Sequence, residues 1–178
     1  MVARVRTVAF QGIEAVPVDV QVMVAPGKVG MSIVGLPDKA VAESRERVQA
    51  ALHASGLSMP AKRVTVNLAP ADTKKQGPSF DLPIALGVLL GDEQIRSEQF
   101  SDFAVVGELG LDGSVRSIAG VLPMALGARD AGKKAFIVPA ANAREAAVVE
   151  GLDVYPVESL AAAVQLLVEG GRPFQAPP

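Results

Sequence analysis

The sequence predicts a mixed α/β fold, in which helices pack on a sheet of mixed strand direction. Three observations carry that expectation. Apolar residues recur at every second position through much of the first third of the chain. The period lengthens to that of a helix after Gly35-Leu36-Pro37-Asp38. Strand-length and helix-length segments then alternate through the second half. With 178 residues and 49% hydrophobic content, the chain suits one domain with a sizeable core.

Each element follows from its local pattern. Val2, Arg4, Arg6 and Val8 alternate with Ala3, Val5, Thr7 and Ala9, and Val16, Val18, Val20, Val22 and Val24 fall two apart. Both runs read as half-buried strands. Ala25-Pro26-Gly27-Lys28 is a turn signal, after which residues 29–34 are expected to return as the partner of the second strand. Val41, Val48, Ala51 and Leu52 share one face of a helix that starts at Asp38 and stops at Gly56. Residues 63–68 read as a strand, 69–78 as a loop and 81–90 as a largely buried helix. Pro83 fits in that helix because its first turn has no backbone bond to lose. Further on, strands are expected at 103–107, 135–138 and 152–155, and a tight turn at 111–114. Helices are expected at 119–131, 141–149 and 158–168. Residues 1–169 therefore form one domain, and the Gly/Pro-rich residues 170–178 read as a linker toward a further domain.

Several chemistries lack their parts. There is no cysteine, and the lone histidine, His53, leaves no set of nitrogen and sulfur ligands for zinc. His53 reads as a helix residue near a C-terminal end rather than a catalytic base. The start MVARVRTVAF lacks the apolar core of a signal peptide, and the longest apolar run, 82–90, is too short to span a bilayer. A cytoplasmic protein without membrane contact is expected. No G-x-x-x-x-G-K-[ST] is present to wrap a triphosphate. Gly107, Gly110 and Gly113 have the wrong spacing for a dinucleotide loop, and Asp102, Glu108 and Asp112 read as solvent-exposed strand-end acids.

Charge is uneven along the chain. Up to Phe80 there are ten basic and six acidic residues, although the whole chain carries a net charge of −2. A basic half can be a solvated surface or an anion-binding face. Arg45, Arg47, Lys62, Arg63, Lys74 and Lys75 are the candidates for phosphate contact. Arg45 and Arg47, beside Glu43 and Glu46, also fit a solvated helix face with local ion pairs. An aromatic content of 4% argues against a platform for base stacking. The segment Lys74-Lys75-Gln76-Gly77-Pro78-Ser79-Phe80-Asp81 places a serine at the mouth of a helix. Its hydroxyl can cap that helix, or act as a nucleophile beside N–H groups that stabilise an oxyanion.

Gln76-Gly77-Pro78-Ser79 and the hydrophobic helix after it resemble the catalytic-serine segment of Lon-type proteases. Gly107 to Arg116 resembles the strand-turn-strand that follows, and Ile118-Ala119-Gly120-Val121 the start of the next helix. In active Lon enzymes that helix carries the lysine that activates the serine; the matching position here is Leu122. Leucine cannot take a proton, and Lys74 or Lys75 in a flexible loop has no evident reason to become a base. Proteolysis is therefore not expected, and Ser79 is left at a serine-like position without a catalytic assignment.

A resemblance over almost the whole chain is to the amino-terminal domain of the ComM (YifB) family of magnesium chelatase-like AAA+ proteins. It rests on Val34 to Val48, on Val64 to Asp72 and on Phe80 to Leu86, in that order. It implies a Lon-like fold of the ribosomal protein S5 domain 2 type, placed before an AAA+ ATPase domain. It further implies a hexameric DNA helicase that promotes branch migration during natural transformation. In such a protein, ATP and magnesium belong to the ATPase domain, and no cofactor or metal belongs to this one. The related domain of RadA proteins is non-proteolytic and contributes to DNA binding and ring assembly. The expectation is an accessory domain that supports oligomerisation and contacts DNA. A residual serine hydrolase at Ser79 and a purely structural docking module are the alternatives.

Overall fold

A computed structural model describes residues 2–11, 13–71, 75, 77–97 and 103–175. β1 (Val2–Gln11) and β2 (Glu14–Ala25), strands as their period of two indicates, form a long antiparallel hairpin. β3 (Gly30–Val34) leads into α1 (Asp38–Ala54), and β4 (Arg63–Ala69) follows. A 3-10 turn at Pro78–Phe80 runs directly into α2 (Asp81–Gly91). β5 (Phe103–Val105) is followed by the small antiparallel pair β6 (Glu108–Leu109) and β7 (Val115–Arg116). α3 (Val121–Asp130), β8 (Ala135–Pro139), α4 (Ala143–Ala146), β9 (Asp153–Val157) and α5 (Leu160–Glu169) complete the order. The main sheet has seven strands in the order β3-β4-β2-β1-β5-β8-β9. The mixed α/β class expected from the sequence is thus the observed one.

One expected pairing is corrected. β3 does not return beside β2. It lies at the sheet edge, parallel to β4, and β4 inserts between them antiparallel to β2. A parallel pair needs a crossover connection, and α1 supplies it. The turn at 26–29 therefore carries the chain past β2 with room for another strand. Gly27 and Gly30 flank it close to β4: a Cβ on either would stand 3.3–3.4 Å from the Arg63 side chain.

Strand alternation divides the core into two clusters, one on each face of the sheet. Val5, Val20, Val22, Val64, Val66, Val105 and Ile137 point to one side, where Leu52 of α1, Leu86 of α2 and Leu167 of α5 meet them. Val8, Ala104, Val106, Phe136 and Val138 point to the other, against Val121 and Ala125 of α3 and Ala146 of α4. Helical glycines set the closest approaches. A Cβ on Gly87 of α2 would lie 2.6 Å from Val22 Cγ2, and one on Gly127 of α3 would lie 2.7 Å from the Ala15 carbonyl oxygen.

Elsewhere the expectations hold with shifted ends. The helix expected at 141–149 is shorter, a 3-10 turn at Ala140–Asn142 running into α4. Ser159, not Glu158, opens the last helix, its Oγ accepting a bond from the Ala162 N–H. In the tail, Phe174 packs against the second cluster and its N–H donates to the Val154 carbonyl, so this part of the expected linker lies on the domain. No helix among the described residues is long and apolar enough to cross a membrane.

The glycine contacts give a direct test. Gly127→Ala meets a backbone oxygen that cannot rotate away, whereas Gly87→Ala meets a side-chain methyl. Each gains about 1 kcal/mol of helix propensity and loses about 1–3 kcal/mol to overpacking. Chemical denaturation is expected to show both variants destabilised, Gly127→Ala more than Gly87→Ala.

Candidate functional site

The serine segment is built around a buried carboxylate. Asp81, at the start of α2, is fully buried. Its Oδ2 accepts from Arg47 Nε at 2.6 Å and from the Leu109 N–H at 3.1 Å. Its Oδ1 accepts from Ser44 Oγ at 2.7 Å and from Arg47 Nη2 at 3.1 Å. Four donors from α1 and β6 therefore converge on one side chain of α2. Burial pushes the Asp81 carboxyl above the usual carboxylate range, while bonds from Arg47, Ser44 and the Leu109 N–H pull it back. The same hydrogen bond raises Arg47 above its ordinary value, against the opposing effect of burial.

Ser79 sits one turn away in the 3-10 segment and is 5% exposed. Gly107 locks this segment through both of its backbone groups. Its N–H donates to the Ser79 carbonyl at 3.0 Å, and its carbonyl accepts from the Leu82 N–H at 3.0 Å. A Cβ on Gly107 would stand 3.1–3.3 Å from the Val115 and Leu82 side chains, a tight contact that glycine avoids. The expected cap is not made: neither the 3-10 turn nor α2 has a side-chain cap at its start. Among the described residues no side chain hydrogen-bonds the Ser79 hydroxyl. Leu122, in the first turn of α3, packs against the second cluster, and its N–H donates to Glu145 Oε1 at 3.3 Å. Its aliphatic side chain offers no base to Ser79.

The β6–β7 turn follows its sequence signal. Asp112 Oδ1 accepts from the Ser114 hydroxyl at 2.6 Å and the Ser114 N–H at 3.0 Å, which holds the Asp112 carboxyl below its usual range. Gly113 takes a φ of +86°, which favours glycine. Glu108 is half-buried and Asp112 exposed; Asp102 lies outside the described residues. His53 is exposed in the last turn of α1.

The six cations proposed for phosphate contact separate. Arg47 turns inward to Asp81, with only a 3.8 Å contact to Glu43 in place of the expected solvated ion pairs. Lys75 is buried, 1% exposed, its Nζ donating to the Pro70 carbonyl at 2.6 Å. Gly35 admits its stem: with a φ of +108°, a Cβ there would stand 3.2 Å from Lys75 Cε and 2.8 Å from the Leu68 carbonyl oxygen. Burial corrects Lys75 as a surface candidate, and the bidentate bond to Asp81 corrects the half-buried Arg47. Arg45, Lys62 and Arg63 remain near the surface, bonded to the Met31 carbonyl, Asp92 and Ser32 respectively. Lys74 lies outside the described residues.

Sequence reasoning placed Asp81 only as a helix start and missed its role as an anchor. A signal was available. Ser44 and Arg47 are spaced i, i+3, and Ser44 lies on the same helical face as the buried Val48. A charge beside such a face calls for a buried counter-charge.

The relatives of the chain give this site its context. The profile of the family described as subunit ChlI of Mg-chelatase matches residues 20–142. Competence protein ComM of Haemophilus influenzae is 42% identical over 159 residues, 89% of this chain and 31% of its own length. The uncharacterized protein YifB of Escherichia coli is 38% identical over 173 residues, 97% of this chain and 34% of its own. An archaeal Lon protease of Methanocaldococcus jannaschii is 30% identical over 108 residues, 61% of this chain and 16% of its own. The chain spans about a third of the length of the ComM and YifB relatives it matches.

The Arg47–Asp81 pair yields a double-mutant test. Asp81→Asn leaves Arg47 without its counter-charge and is expected to cost about 3 kcal/mol. Arg47→Met combined with Asp81→Asn removes the stranded charge and is expected to be less destabilised than the sum of the two single variants. Urea unfolding of the four proteins in the cycle measures this coupling. The profile match across residues 20–142 and the relatives aligned over most of the chain place this protein in the Mg-chelatase ChlI family, among its ComM- and YifB-like members.

Proposed function

We propose that this chain is a non-proteolytic accessory domain of a ComM-like AAA+ DNA motor. The alignment with competence protein ComM over 89% of the chain, in a relative about three times as long, carries the reading. In this proposal an ATPase domain elsewhere in the longer protein binds ATP and magnesium. The assembled motor is a cytoplasmic hexameric helicase acting in branch migration during natural transformation. The present domain supports ring assembly and contacts DNA.

Leu122 supports the non-proteolytic part, because a serine hydroxyl needs a base to attack near neutral pH. Ser79 favours the rival reading of a residual hydrolase, since its hydroxyl stands in a turn held by two backbone bonds. Incubation with unfolded protein and peptide substrates separates the two. No cleavage above background is expected, with Ser79→Ala indistinguishable from the unaltered chain. Cleavage that disappears in Ser79→Ala would overturn the proposal. A structural docking module, the third reading, predicts stable partner binding with no affinity for nucleic acid at any salt concentration.

A further inference from the structure

Among the described residues, half of the sheet is covered on one face only. The residues of β3, β4, β2 and β1 that face α1 and α2 form the first core cluster. On the opposite face, α3 packs over the hairpin end, with Gly127 against Ala15 and Gly120 against Phe10. Beyond α3 the strand register arranges side chains in rows. Arg6, Asp19 and Ala69 are cross-strand neighbours, and so are Arg4, Gln21, Asn67 and Val34 in the next row. Val2, Met23, Thr65 and Ser32 make a third, and Arg63 stands beyond it, opposite Ala25 and Gly30. None of these residues is buried.

The chemistry of this face is one-sided. It carries Arg4, Arg6 and Arg63 against a single carboxylate, Asp19, which is already bonded to Arg6. Asn67 Nδ2 donates to Gln21 Oε1 at 3.1 Å between them, which aligns two amides in the middle of the surface. A cleft of about 310 Å³ lined by Arg6, Pro17, Ala131 and Lys133 adjoins the face at the Arg6 row. No aromatic ring lies in these rows, so unstacked bases have no platform. Guanidinium groups on a rigid sheet suit phosphate oxygens, which accept their paired N–H bonds. Four strands at their usual spacing make a surface about 14 Å wide. That is broader than the roughly 6 Å minor groove, so the sheet would lie along the backbone rather than enter that groove.

We infer that this open sheet face, through Arg4, Arg6 and Arg63, binds the phosphate backbone of double-stranded DNA. The inference rests on the DNA-contacting role proposed above and moves its site. Of the cations the sequence singled out, only Arg63 belongs to this face, while Arg4 and Arg6 were not among them.

Fluorescence anisotropy with a labelled duplex, over a salt series, tests it on the whole chain. Arg4→Gln with Arg63→Gln is expected to weaken binding at least tenfold at low salt. It should also lower the slope of log K against log salt by about 2, given about 0.9 per phosphate contact. Met23→Glu, which adds an anion to the same face, should weaken binding too. The charge-matched pair Lys39→Gln with Arg144→Gln should leave it within twofold, and thermal melts confirm that each variant is folded. Duplex binding that survives the face variants overturns the inference while leaving the DNA role intact, as does its loss on changing Arg45 and Lys62 instead. Tighter binding of the separated strand overturns it as well. An unaltered chain that ignores the duplex at every salt concentration removes both the inference and the DNA role.

Discussion

The Asp81 carboxylate joins parts of the chain that are far apart in sequence. Ser44 and Arg47 reach it from α1, and the Leu109 N–H reaches it from the β6–β7 hairpin, while Asp81 itself begins α2. Withdrawing a carboxylate and a guanidinium from water costs several kcal/mol per ion, and their attraction returns this only when the geometry is good. The upward displacement of the Asp81 pKa by burial shows that the cost is felt. The pair therefore adds little net stability. What it does is penalise every arrangement in which one partner is buried without the other. Helix α1 must present Ser44 and Arg47 to α2, and β6 must present its N–H, or a charge is stranded in the first core cluster. Positional definition, rather than binding energy, is its contribution.

From that fixed corner the two faces of the sheet acquire different roles. The face under α1, α2 and α5 is closed by aliphatic residues, with Val22 and Gly87 in direct contact. The opposite face is closed by α3 and α4 only toward β5, β8, β9 and the hairpin end. β1 shows the transition within one strand: Val8 belongs to the covered part, while Arg4 and Arg6 on the same side do not. A sheet that is polar on one face needs charge and amide groups there to stay in water, and β1, β2 and β4 provide them. The same groups give the surface an electrostatic preference for anions.

Much of the fold could be read from the sequence because period and punctuation are local. The strands β1 and β2, the start of α1 and the stop near Gly56, and the turn at Asp112-Gly113 all follow from neighbouring residues. The order of strands could not be read that way. β3 is separated from β4 by α1, and nothing within 29–34 distinguishes pairing with β2 from pairing with β4. Side-chain direction was the other gap. Lys75 and Arg47 look alike as surface cations, yet one packs over Gly35 and the other reaches Asp81, across 34 residues of sequence. Arg4 and Arg6 were visible as outward residues of an alternating strand. Their importance depends on which strands flank them and on where α3 stops, and both are tertiary facts.

The same tertiary view bears on the meaning of Ser79. A serine in a Lon-like position invites a catalytic reading, but every structural feature around it has a cause that requires no reaction. The turn is held because Gly107 bonds to residues 79 and 82 through its two backbone groups. Leu82 and Val115 close over Gly107, so that a Cβ there would crowd both. The next residue but one, Asp81, is fixed by Arg47, Ser44 and Leu109. Removing the catalytic demand leaves each of these contacts unchanged, since none passes through the Ser79 hydroxyl. A scaffold shared with a serine protease can therefore hold a serine at this place without any contact that depends on its reacting. Leu122, which the Lon resemblance sets at the lysine's place, packs an aliphatic side chain without a proton-accepting atom against the second cluster.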